Sequence, residues 1–162
     1  MQKKINKKNQ NNKTNLIIIV GIIILLGALI LMFLESDKTD NYIKEISYNE
    51  YNDIIKKDEY SIVLLTNPDC SHCISYKPFV NYLAKENNLN VYNINLTSIT
   101  YEEYNVLHDK YSATKDQYRD GVPVIPTPTT LIVKNGIEIT SALGDIGYNG
   151  LERLLKNNNV IE

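Results

Sequence analysis

Tryptophan is absent from the 162 residues, and cysteine and histidine occur only twice each. A closed zinc site takes four nitrogen or sulfur ligands. The candidates are Cys70, Cys73, His72 and His108, and His72 cannot comfortably ligate from between two thiolates, so the composition argues against a zinc module. No acidic residue precedes Glu35, and no cysteine stands just after the apolar run 16–34. The missing cysteine removes a lipoprotein anchor. Leu31-Met32-Phe33-Leu34 offers no small-residue cleavage site, which speaks against the competing reading of a cleaved secretory signal. Charge of one sign is also short: five of the 17 basic residues precede the apolar run, leaving 12 against 19 acids, a formal −7. That balance excludes a nucleic-acid binder by charge.

What is present divides the chain by composition. Residues 1–15 carry Lys3, Lys4, Lys7, Lys8 and Lys13 among Asn and Gln, and 16–34 follows with 19 uncharged residues. That length suits one transmembrane helix, and the preceding lysines predict a cytoplasmic N-terminus. The expectation is an uncleaved signal anchor at 16–34, a linker at 35–42, and one domain at 43–162 outside the membrane. Abundant Asn, Lys, Ile and Tyr point to a bacterium with an A+T-rich genome, hence a single-pass bacterial cell-membrane protein.

The domain is organised around Asn67-Pro68-Asp69-Cys70-Ser71-His72-Cys73, which holds both cysteines. A β-branched apolar run at 61–66 leads into it, and a helical pattern from 71 to about 87 follows. Cysteines three apart on a first helical turn face the same way, within reach of a disulfide. The positive end of the helix favours a thiolate at Cys70, taken as the first helical residue, and a charged His72 would add to that. Cys70 is therefore expected to attack, and Cys73, one turn deeper, to resolve. A static bridge is the alternative, but so short a loop gains little entropic stabilisation.

Ser47 with Glu50 and Thr100 with Glu103 form capping boxes before the helical stripes Tyr48, Tyr51, Ile54, Ile55 and Tyr104, Leu107, His108, Tyr111. His108 is read as a partly buried packing residue. The helix after Cys70 is expected to turn Tyr76, Phe79, Val80 and Leu83 inward, with Pro78 removing one backbone bond. A strand is expected over 90–96 and a polar loop over 112–124. Apolar runs at 129–133 and 137–142 flank Asn135-Gly136, a strong hairpin signal. A last helix carries Leu151, Leu154 and Leu155. The order helix, strand, helix, strand, helix, hairpin, helix predicts an α/β domain, a central mixed sheet with helices on both faces.

Over residues 46–157 the sequence resembles the thioredoxin superfamily. The resemblance rests on the Cys-x-x-Cys pair, Pro78 five residues beyond it, and Thr127-Pro128-Thr129 followed by a short apolar strand, Lys134-Asn135-Gly136, Gly144 and a final helix. It implies a thioredoxin-like fold in which a cis-proline packs beside the cysteines and the preceding residue offers its backbone to an extended substrate. By count to the hairpin those roles fall to Pro128 and Thr127, with Pro126 as the rival cis-proline. The resemblance implies a thiol-disulfide oxidoreductase with no metal or organic cofactor, acting on thiols and disulfides of exported proteins, with a membrane redox partner if it works as a reductase.

His72 stands where disulfide isomerases and periplasmic oxidases carry a histidine, which implies a more oxidising pair. Leu64 replaces the buried aspartate of thioredoxins, and Asp69 replaces the aromatic residue before the first cysteine. The layout is similar to membrane-anchored thioredoxin-like proteins of Gram-positive bacteria, including bacteriocin transport accessory proteins. A non-catalytic assembly or peptide-binding module using the same groove is the second reading, and loop 112–124 is expected near the cis-proline.

Overall fold

The computed structural model describes residues 18–28 and 41–162, and the chain divides into two compact units at Asp40/Asn41. In the first unit residues 18–28 form helix α1. Its side chains Ile18, Ile19, Val20, Ile22, Ile23, Ile24, Leu25 and Leu26 are all exposed. The flanks of the anchor expected at 16–34 lie outside the described residues, as do 1–15 and 35–40. Among the described residues no helix is long and apolar enough to cross a membrane.

The second unit is built on a five-stranded sheet of order β1-β3-β2-β6-β7. Its strands are β1 (Ile43–Glu45), β2 (Ser61–Thr66), β3 (Asn90–Asn95), β6 (Thr129–Lys134) and β7 (Ile137–Leu143). The strands β1, β3 and β2 run parallel, while β6 is antiparallel to β2 and β7 to β6. All six residues of β2 are buried, as a strand covered on both faces requires. Alternation along it assigns the two layers. Ile62 and Leu64 meet α3 (Ser71–Asn87) and α5 (Gly147–Asn157), through Tyr76, Val80, Leu83, Leu151 and Leu155. Val63 and Leu65 meet α2 (Tyr48–Ile54) and α4 (Tyr101–Lys110), through Tyr51, Leu107 and the following Tyr111.

Local chemistry explains the boundaries. Both capping boxes form: Ser47 Oγ accepts from Glu50 N–H while Glu50 returns a carboxylate to Ser47 N–H, and Thr100 and Glu103 do the same. The hairpin turns at Asn135 (φ 52°) and Gly136 (φ 76°), the paired positive φ that a two-residue turn demands. Their N–H groups donate to Lys57 and Ile55 carbonyls, tying the turn to the end of α2.

Four expectations change. Strand β1 was not anticipated; three residues, Ile-Lys-Glu, are too few to show a period, and only pairing with β3 makes them a strand. Leu96 leaves β3 for a short 3₁₀ turn capped by Asn95. Phe79 is 41% exposed, because the face buried by Cys73, Tyr76, Val80 and Ala84 points away from it. Segment 112–124 is no plain loop: β4 (Tyr118–Arg119) and β5 (Val122–Pro123) pair across Asp120 and Gly121, both at positive φ.

Candidate functional site

Strand β2 ends at Thr66, and Asn67–Asp69 turn the chain into α3. Asn67 holds this turn, accepting from Asp69 N–H through Oδ1 at 3.1 Å and from Cys70 N–H through its carbonyl at 3.2 Å. Cys70 keeps an extended backbone (φ −87°, ψ 106°) and is the N-cap of α3 instead of its first residue. The difference matters chemically: at the cap its sulfur takes the place of the capping oxygen, and Cys73 N–H donates to Sγ at 3.1 Å. That N–H also reaches the Cys70 carbonyl at 3.0 Å, and a helix-end amide aimed at sulfur favours a thiolate there.

Cys70 and Cys73 are joined in a disulfide with Cα atoms 5.2 Å apart, inside the usual range. Cys70 is half-buried, whereas Cys73 is 2% exposed beneath the helix. An incoming sulfur can therefore reach Cys70, and Cys73 is shielded from it. His72 and Asp69 are both exposed, so neither side chain is pressed into the protein against the pair.

The opposite wall comes from the segment before β6. The Thr127–Pro128 bond is cis, and Pro126 is not the residue that carries it. The Thr127 carbonyl oxygen lies 3.4 Å from Cys70 Sγ, although the residues are 57 apart in sequence. Two bonds pin this segment: Gly144 N–H donates to the Pro128 carbonyl at 2.7 Å, and Thr129 Oγ1 donates to the Pro126 carbonyl at 2.6 Å. Pro128 is buried and Thr127 half-buried, which leaves the Thr127 backbone at the rim beside Cys70. Ser75 on α3 donates to Asp145 Oδ2 at 3.0 Å, joining the cysteine helix to the loop that follows β7. Asp145 gave no signal in the sequence, because its partner is 70 residues away.

Below the site, burial pushes the Tyr76 hydroxyl up to about 12, and that hydroxyl lies 3.2 Å from Thr130 Oγ1. Leu64 and Thr130 face each other in the β2–β6 register, and Leu64 is fully buried. His108 is also fully buried, and it does more than pack. Nε2 is 2.8 Å from the Gln117 carbonyl and Nδ1 2.7 Å from Asp109 Oδ1, with the Tyr118 ring edge-on at 5.0 Å. Val124 N–H shares the Gln117 carbonyl and Ile125 N–H donates to the Tyr104 hydroxyl. The β4–β5 arm is thus held to α4 just before the chain reaches Pro126-Thr127-Pro128.

No protein-family model matches the chain, and no curated protein matches it. Solved structures do. The thioredoxin Mala s 13 of Malassezia sympodialis is 15% identical with a TM-score of 0.54, covering 72% of this chain and 90% of that one. Thioredoxin NaTrxh of Nicotiana alata is 16% identical with a TM-score of 0.53, over 73% and 93%. Thioredoxin f2 of Chlamydomonas reinhardtii is 13% identical with a TM-score of 0.60, over 74% and 99%. The fold is thioredoxin-like.

Proposed function

We propose that this chain is a thiol-disulfide oxidoreductase held on the outer face of a bacterial membrane, exchanging disulfides with exported proteins. The observation that carries the reading is the half-buried Cys70 sulfur, placed between the Cys73 amide at 3.1 Å and the Thr127 carbonyl at 3.4 Å. The first favours a thiolate, and the second marks where an extended substrate backbone would pass beside its target sulfur.

In the reducing direction, the Cys70 thiolate attacks one sulfur of a substrate disulfide and releases the other as a thiolate. Cys73, deprotonated, then attacks Cys70 Sγ of the mixed disulfide, forming the Cys70–Cys73 bond and releasing the second substrate thiolate. Two electrons leave the protein dithiol for the substrate. Oxidation of a substrate dithiol runs the same steps backward. Thr127 and Pro128 hold the substrate main chain, and a charged His72 at the mouth favours the Cys70 thiolate. The disulfide is the redox group, so the reaction calls for no metal or organic cofactor. The lysines of 1–15 and the exposed apolar side chains of α1 support a cytoplasmic N-terminus and a single anchor, with the cysteines outside. A membrane electron donor becomes necessary only if the pair works as a reductase.

Two measurements test this. Cys73→Ser should accumulate mixed disulfides at Cys70 on non-reducing gels, whereas Cys70→Ser should not; absence of any adduct would leave only a peptide-binding module. Equilibration with glutathione then gives the direction. A potential around −120 to −180 mV belongs to an oxidase or isomerase, and one near −270 mV to a reductase. Below about −300 mV with an unreactive Cys70, the bridge is structural and the enzyme reading fails.

A further inference from the structure

A second polar system lies under α3 and is not used by the exchange steps above. Asn93, in the middle of β3, is 1% exposed, and both ends of its side-chain amide are bonded. Oδ1 accepts from Thr66 Oγ1 at 2.9 Å, and Nδ2 donates to Glu45 Oε2 at 2.6 Å. The other carboxylate oxygen, Oε1, receives the Lys77 ammonium at 3.2 Å. One run of contacts therefore crosses β2, β3 and β1 and ends on α3.

An ordinary surface ion pair does little, because both side chains wander in water. Here a buried amide fixes the carboxylate, and the carboxylate fixes the ammonium. Lys77 is four residues after Cys73 on α3, so the two sit one above the other with Cβ atoms about 5–6 Å apart. Of the strand side chains facing α3, Ile62, Leu64, Val91 and Ile132 are apolar and Thr66, Asn93 and Thr130 are uncharged. They supply no charge to Cys73.

We propose that Lys77, held by Glu45 and Asn93, is a positioning residue that raises the thiolate fraction of Cys73 for the resolving step, and that Glu45 limits how much of that charge Cys73 feels. The proposal rests on the reading of Cys70 and Cys73 as an exchanging pair. A lysine on the next helical turn stabilises the charged form of a thiol, and a carboxylate paired to it subtracts part of the effect. The other ionisable groups around the pair are Asp69 and His72 in the exposed turn, Tyr76 beneath the helix, and Asp145, held on the α5 side by Ser75. None of them lies on the β1 side, where Glu45 and Lys77 meet.

The test uses the full-length protein in detergent, reduced and mixed with oxidised glutathione, then acid-quenched at intervals. The readout is the rate at which Cys73 expels glutathione from Cys70, forming the protein disulfide and one glutathione thiolate. Near neutral pH, Lys77→Met should slow this step about twofold and Glu45→Gln should speed it about twofold. About half of any gain in thiolate fraction is returned as lost nucleophilicity. That same trade-off reverses the order at about pH 9.5, where the thiol is largely ionised and the less stabilised thiolate attacks faster. Lys77→Arg should keep the wild-type rate.

A merely structural pair would slow both variants at every pH. That result, an unchanged rate in both, or slowing by Lys77→Arg equal to that of Lys77→Met would overturn the proposal while the exchange reading stands. Failure of the wild-type dithiol to form any mixed disulfide would remove the exchange reading, and this one with it.

Discussion

Alkali should unfold this domain through three tyrosines, and the absence of tryptophan makes the event easy to follow. Tyr51, Tyr76 and Tyr111 are at most 1% exposed, and burial raises all three hydroxyls above their ordinary 10.0, Tyr76 and Tyr111 to about 12. The hydroxyl–hydroxyl bond between Tyr51 and Tyr111 raises Tyr51 further and partly opposes the effect of burial at Tyr111. A phenol whose folded pKa exceeds its unfolded one contributes its full stability below pH 10 and loses it as pH rises toward the folded value. Above pH 10 the unfolded chain binds fewer protons, so stability falls by up to about 1.4 kcal/mol per pH unit for each group. At pH 12 a group raised by two units has lost about 2.3 kcal/mol, and three such groups about 7. That is comparable with the whole stability of a small domain, about 5–15 kcal/mol.

The assay is a pH titration of residues 41–162 followed by phenolate absorbance and far-ultraviolet circular dichroism together. Three of the 12 tyrosines should ionise only as the helical signal collapses, between pH 10 and 12. Tyr76→Phe should reduce the fall in stability between pH 10 and 12 by about a third, by removing one of the three phenols. Ionisation of all 12 near pH 10 with the dichroism unchanged would refute the burial argument.

Two further outcomes follow from single contacts. Thr130 is fully buried and meets the Tyr76 hydroxyl at 3.2 Å, so Tyr76→Phe or Thr130→Val alone should cost about 1–3 kcal/mol in urea unfolding by stranding the partner. The double variant should cost less than the sum, and strict additivity would show that the two hydroxyls do not interact. Gly136→Ala meets no atom within 4 Å, yet φ is +76°, so a loss of about 1 kcal/mol in the same assay is expected from backbone strain alone, and none would mean that the turn relaxes.

Much of this molecule is written in short-range chemistry. Capping boxes need residues three apart, a hairpin turn needs two adjacent residues that accept positive φ, and a cysteine pair on a helix end needs only its spacing. Those features, with the run of β2, were readable because each one's physical cause lies within a single turn or strand. The count from Pro128 to Asn135-Gly136 extends this reach, since a strand of fixed rise converts sequence distance into position.

Contacts between residues far apart in the chain arise only when the layers close. The Thr127 carbonyl at the Cys70 sulfur, Asp145 at Ser75, and Asn93 between Thr66 and Glu45 join positions separated by 57, 70, 27 and 48 residues. Strand β1 exists because β3 offers it hydrogen bonds, and Phe79 lies outside because Cys73 and Ala84 claim the buried face of α3. Side-chain periodicity says which residues avoid water; it does not say which partner each polar atom finds once the layers close, and that choice sets the surroundings of the two cysteines.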